Sequence, residues 1–187
     1  MKKLIAIAFF AVTISANAQT HLDTLIFNKV NEYRAKKGIK PLFWSDQGYR
    51  VAKNQAQYIK LLKAVIHDQI DSVSPTFKLE PNFVKRFSRQ GICVTDTNSY
   101  EAENLVAVGD TVAFVSDEEV ANRAINSWKN SPAHNSMMLM KEVTFAGVAN
   151  VIGSELYDVA GIDPATLEET IIQVKGYVYF IALDAHN

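Results

Sequence analysis

Residues 124–149 read "AINSWKNSPAHNSMMLMKEVTFAGVA", and the fold turns on how they are divided. Val120, Ala121, Ala124, Ile125 and Trp128 recur at the period of an amphipathic helix. Ser116, three residues ahead of Glu119, gives that helix a capping-box start. Its end is expected at Pro132, because a proline pushes the preceding residue out of the α region. His134 then falls in a turn, and Met137 to Met140 read as core residues pinning it. The strand-like "VTFAGVANVIG" follows. The chain is thus broken between helix and strand where an imidazole can be aimed.

Outward from this stretch, helices come first and strands last. Residues 20–37 carry Leu22, Leu25, Ile26, Val30 and Tyr33 at helical spacing, with Gly38 as the stop. Pro41 turns the chain extended, and Ser45 is placed to cap a second helix over 46–65. Its stripe is Ala52, Gln55 with Ala56, Ile59 and Leu62. Residues 71–81 read as a loop, and Phe83, Val84 and Phe87 as a short helix ending at Gly91. "NLVAVG", "ELYDVAG" and "TIIQVKGYVYFIALD" read as strands, with "GIDPATLEE" as a connector. Without βαβ alternation, this order predicts an α+β fold with a largely antiparallel sheet.

Composition narrows the function classes. With 48% hydrophobic residues the chain can bury a core, and a net charge of −1 leaves no basic footprint for nucleic acid. Lys2 and Lys3, the apolar run Leu4 to Ile14, and Ala16-Asn17-Ala18 form a signal peptide over 1–18. Residues 19–187 are then one exported domain, secreted or periplasmic, with no membrane span and expected as a monomer. Cys93 is the only cysteine, so no internal disulfide is available. In the strand-like "GICVTD" it reads as a small buried hydrophobe.

Among the four histidines, His21 and His186 read as solvated chain ends. His67 and His134 each follow a helix end beside apolar residues, a position that can be held rigidly. Glu118 and Glu119 are explained as first-turn residues on the helix dipole. Glu101 and Glu103 are read as alternating across a strand, so that only one faces a given side. Glu103 precedes Asn104 and apolar Leu105, and polar groups entering an apolar strand need partners. Two imidazoles and one carboxylate would suit zinc with a position left for water. The spacing from 67 to 134 carries no metal motif, and a purely structural role for each histidine stays open.

Four segments, in order, carry a resemblance. They are "FNKVNEYRAKKGIKPLFW", "AKNQAQYIKLLKAVIH", "AENLVAVG" and the opening stretch with its Trp-x-Asn-Ser-Pro-Ala-His. From about Leu25 onward the chain resembles the CAP family of cysteine-rich secretory, antigen 5 and pathogenesis-related 1 proteins, in its cysteine-poor bacterial branch. The resemblance implies a three-layer α/β/α sandwich with a cleft lined by His67, Glu103 and His134, and by Asn104 and Ser131 beside them. Ser131 stands where many animal and plant members have a second glutamate. Ala102 and Ala133 replace glycines that usually precede the glutamate and the histidine. The segment 154–172 is longer than compact bacterial members imply.

Three functions fit. The first is a secreted binding module whose cleft takes a small apolar or lipid-like ligand, a cell-wall component or a divalent metal. The second is a metal-dependent hydrolase, with zinc on His67 and His134 and Glu103 as base or third ligand. A Ser131–His134 pair is a weaker catalytic variant. The third is a protein-interaction module with no working site. Binding is expected ahead of catalysis.

Overall fold

The computed structural model describes residues 19–69, 77, 79–80, 82–94, 99–110, 116–162 and 169–187. The signal-peptide reading of 1–18 and most of the loop reading of 71–81 lie outside them.

Helix α1 (His21–Lys36) starts with a capping box between Thr20 and Asp23. Gly38, at φ +69°, takes the left-handed position that ends the helix. Strand β1 (Phe43–Trp44) leads to α2 (Asp46–Leu62), whose N-cap is Ser45. α2 stops three residues before the expected 65. Lys63 turns left-handed at φ 58°, and the Ala64 N–H closes on the Ile59 carbonyl at 3.3 Å. Helix α3 (Phe83–Arg89) and strand β2 (Glu101–Asp110) follow.

Helix α4 (Asp117–Asn130) begins at Ser116 as expected. Its end corrects the reading of Pro132. The proline stops α4, but it also starts α5 (Pro132–Met138), where it occupies the first turn. A first-turn proline loses nothing, because its missing N–H has no intrahelical acceptor there. Ser131 serves as C-cap of one helix and N-cap of the next. His134 therefore lies on a helix, not in a turn. Met138 is buried, and Met137 and Met140 pack against the core.

"VTFAGVANVIG" and "ELYDVAG" are not separate short strands. They form one strand, β3 (Phe145–Ile162), paired antiparallel with β4 (Glu169–His186). Residues 154–162 and 169–172 of the long 154–172 segment are the outer parts of these two strands. Sheet order is β1-β3-β4-β2, antiparallel except for the β1–β3 pair.

Strand alternation sends successive residues to opposite faces. On one face Val106, Val148, Ile181 and Leu183 pack with Ile26, Val30, Trp128 and Met138 from α1, α4 and α5. On the other, Leu105, Ala149, Val178 and Ala182 meet Tyr49, Ala52, Ala56 and Ile59 of α2. The result is the α/β/α sandwich with a mostly antiparallel sheet that the sequence predicts.

α2 lies against the sheet at a backbone-to-backbone contact. A Cβ on Gly147 would fall 1.9 Å from the Tyr49 nitrogen, and one on Gly48 would fall 2.9 Å from the Gly147 nitrogen. Gly147→Ala is expected to lower the unfolding free energy in urea by about 3 kcal/mol or to prevent folding. Gly109→Ala meets no heavy atom within 4 Å and should change it by less than about 1 kcal/mol. Equal effects of the two would show that α2 does not approach β3 this closely.

Candidate functional site

β2 pairs only with β4 among the described strands, and the expected site residues straddle it. Glu103, on the α2 face, is buried at 3% exposure. One of its oxygens meets His67 Nδ1 at 2.8 Å, and the other accepts from Arg86 Nη2 at 2.6 Å. Asn104 points to the opposite face, where its Nδ2 donates to the His134 carbonyl at 3.0 Å. The strand's alternation thus ties α5 to one side and the His67 loop to the other. Glu101 and Glu103, two residues apart, share a face, which corrects the reading that they alternate.

Each histidine is placed by a buried polar side chain. Gln55, fully buried in the α2 stripe, donates to the carbonyls of Ile66 at 2.6 Å and His67 at 3.2 Å. Arg34, 1% exposed, donates to the carbonyls of Met138 at 2.9 Å and Met140 at 2.8 Å. That bond caps the carbonyl end of α5, and Tyr33 Oη donates to Asn135 Oδ1 at 2.9 Å. The seven-residue α5 is too short to persist alone. Ser131 makes no side-chain cap hydrogen bond at the start of α5. The two alanine departures cost nothing. Ala102 packs in the core of β2, Ala133 is helical, and neither has positive φ.

The electrostatics split the two imidazoles. The hydrogen bond to Glu103 holds the His67 pKa above the usual histidine range, against the pull of partial burial and of Arg86. Burial pushes the His134 pKa below that range, and the His67 charge adds to the shift. His134 therefore senses His67 across the edge of the sheet. The two rings are thus biased in opposite directions, His67 toward its charged form and His134 toward its neutral form.

Two participants were not foreseen. Arg86 stands in "FVKRFSR" between phenylalanines, and Asp184 interrupts the apolar "YFIALDA". For Asp184 the available signal was an isolated charge in an apolar run, since such a charge must find partners or neutralise. Asp184 lies directly across the ladder from Glu103, fully buried and with its carboxyl beside that of Glu103. Burial first, and the Glu103 charge second, hold its pKa well above the carboxylate range, with Arg86 opposing.

Two other expectations are corrected. Cys93 is exposed, and "GICVTD" forms no strand over 92–94, so it is not a core residue. His186 is not a solvated end. It is 7% exposed and bonded to Ser45. His21 is exposed, as expected, and pairs with Asp117 at 2.9 Å.

Residues 27–162 match the cysteine-rich secretory protein (CAP) family. The chain belongs to the CAP family. An outer surface protein of Borrelia burgdorferi shares the fold, with a TM-score of 0.51 and 17% identity over 87% of this chain and 95% of that one. An extracellular protein of Bacillus anthracis containing an SCP domain has a TM-score of 0.49 and 20% identity over 86% of this chain. A cysteine-rich secretory protein of Staphylococcus aureus has a TM-score of 0.46 and 14% identity over 88%. This chain spans 40% of each of those two larger proteins. No curated protein matches the sequence. Among the described residues of this CAP domain, no helix is long and apolar enough to cross a membrane.

Proton NMR titration of the imidazoles tests the split. His67 is expected to titrate above 6.5 and His134 below it. His67→Ala should move the His134 midpoint upward. An unmoved His134 would show that the rings do not interact. Asp184 gives a stability test. Its folded pKa is raised, so the native state binds a proton that the unfolded state releases, and stability falls as pH rises above about 4. Asp184→Asn removes that loss. Its advantage should grow with pH by up to about 1.4 kcal/mol per unit until the folded carboxyl ionises. A pH-independent difference in urea unfolding would refute a protonated Asp184.

Proposed function

We propose that residues 19–187 form one exported CAP domain that works as a binding module. Its cleft beside His67, Glu103 and His134 takes a small ligand, lipid-like or from the cell wall, through a hydrogen-bond-accepting head group. The observation that carries this reading is the relay from Arg86 through Glu103 to His67 Nδ1. It ties one face of the ring and leaves Nε2 directed away from the relay on a side chain that is 52% exposed. The Glu103 bond favours the protonated His67 ring, in which Nε2–H is a donor bearing positive charge, and burial favours the neutral His134 ring, which can accept. Carbonyl, carboxylate or phosphate heads suit that pair.

A divalent metal is the second reading. A carboxylate bonded to one imidazole nitrogen is how metal-ligating histidines are oriented from outside the coordination shell. In that role His67 and His134 would be the ligands and Glu103 would hold His67. The zinc-hydrolase variant fits the residues poorly. Both Glu103 oxygens already accept hydrogen bonds, so a metal or water there would compete with His67 and Arg86. Among the described residues, no group of three His, Cys, Asp or Glu is placed to hold a metal ion.

The test is calorimetric zinc titration and native mass spectrometry of residues 19–187, beside His67→Ala and His134→Ala. The mass spectrometry uses palmitate, phosphatidylglycerol and muropeptides as probes. The expected result is retention of at least one acidic-headed probe, lost in both variants. Zinc should bind weakly, losing up to about tenfold per pH unit below the raised His67 pKa as the ring protonates. Stoichiometric zinc with no retained probe would favour the metal reading. Neither zinc nor any probe bound by the parent would overturn the cleft as a binding site.

A further inference from the structure

A second constellation lies where the N-terminus of α2 meets the ends of β3 and β4. An open pocket of about 460 Å³ is lined by Trp44, Ser45, Asp46, Gln47, Arg50, Phe145 and His186, and by none of the cleft residues above. Ser45 Oγ and His186 Nε2 stand 2.9 Å apart on its wall. His186 Nδ1 lies 3.1 Å from a backbone oxygen of Asn187. That oxygen only accepts, so Nδ1 carries the proton in the neutral ring. Nε2 is then the acceptor, and the Ser45 hydroxyl hydrogen points at it.

The base is held firmly. Phe145 stacks on the His186 ring at 5.4 Å and 22°, and Phe87 meets it edge-on at 6.1 Å. Asn187 is fixed by reciprocal bonds with Tyr100, at 3.0 and 3.3 Å. Capping accounts for the Gly48 N–H donating to Ser45 Oγ at 2.9 Å. It does not account for a hydroxyl hydrogen aimed at an oriented imidazole in a pocket wall. The Gly48 bond also favours negative charge on Oγ. Asp46 and Gln47, in the first turn of α2, line the same pocket, and their amides have no intrahelical acceptor.

We propose that Ser45 and His186 form a nucleophile–base pair that cleaves small carboxylic esters, with the apolar part of the ester against Phe145 and Trp44. Oγ bonds to the ester carbonyl carbon, its proton passes to Nε2, and the carbonyl electron pair moves onto oxygen facing the α2 amides. Collapse breaks the bond to the leaving alcohol, which takes the proton back from Nε2. Water repeats the sequence to release the acid and restore Ser45. This activity is independent of the cleft beside His67.

The test is reaction of the folded protein with a fluorophosphonate probe, read by intact mass and peptide mapping, together with turnover of p-nitrophenyl butyrate. One adduct on Ser45 is expected. Ser45→Asn keeps a capping side chain without the hydroxyl, and should fold by circular dichroism yet take no label. His186→Gln should slow labelling and turnover at least tenfold. No adduct on Ser45 in the folded parent, or undiminished labelling in a folded His186→Gln protein, would overturn the proposal. Should His186→Gln fail to fold, the parent decides alone. An adduct on Ser45 and on no other serine sustains the pair, and its absence ends it.

Discussion

The structure depends on the place where α2 and β3 touch without side chains between them. Gly48 and Gly147 let two backbones approach to within ordinary contact, and a methyl group on Gly147 would overlap the Tyr49 nitrogen. That approach seats the apolar stripe of α2 on the sheet and fixes both its ends. The N-terminal end presents Ser45 to His186. Near the other end, Gln55 holds the chain that delivers His67 to Glu103. Interiors are close-packed, so a helix displaced by even a fraction of an ångström would carry both histidine contacts with it.

A second constraint is charge placed inside an apolar layer. Arg86, Glu103 and Asp184 are all buried, with one positive group facing two carboxyls. Arg86 and Glu103 satisfy each other by contact. Removing either partner of such a pair costs about 3–5 kcal/mol, because the other charge is left buried. Burial and the Glu103 charge push the Asp184 carboxyl toward its neutral form, which lessens that cost. The cluster is therefore a rigid anchor for His67 more than a source of stability. Its geometry leaves the second ring nitrogen of His67 outside the cluster.

Much of the fold was legible in the sequence because it is written in local terms. Ser45 and Ser116 cap the helices they precede, Gly38 ends α1, and the late β-rich runs pair antiparallel. Pro132 misled because one residue can both stop a helix and start the next, and sequence shows only the stop. His67, His134 and Glu103 were legible as motif residues, and the structure brings His67 onto Glu103. Arg86 and Asp184 were not, since their partners are set by strand register and by a loop-borne helix. His186 was taken for a loose end because nearness to a terminus says nothing of the neighbours a sheet supplies.

The guanidinium of Arg34 carries one more consequence. Its donors reach from the last turn of α1 to two carbonyls beyond and at the end of α5, a helix too short to hold itself. α5 is thus a small unit of local stability borrowed from α1. When it opens it does so as a whole, releasing the His134 carbonyl from Asn104 in the same event. The amides of α5 would then share one exchange rate, set by how often Arg34 lets go, and the lifetime of the His134 side of the cleft would equal the lifetime of that grip.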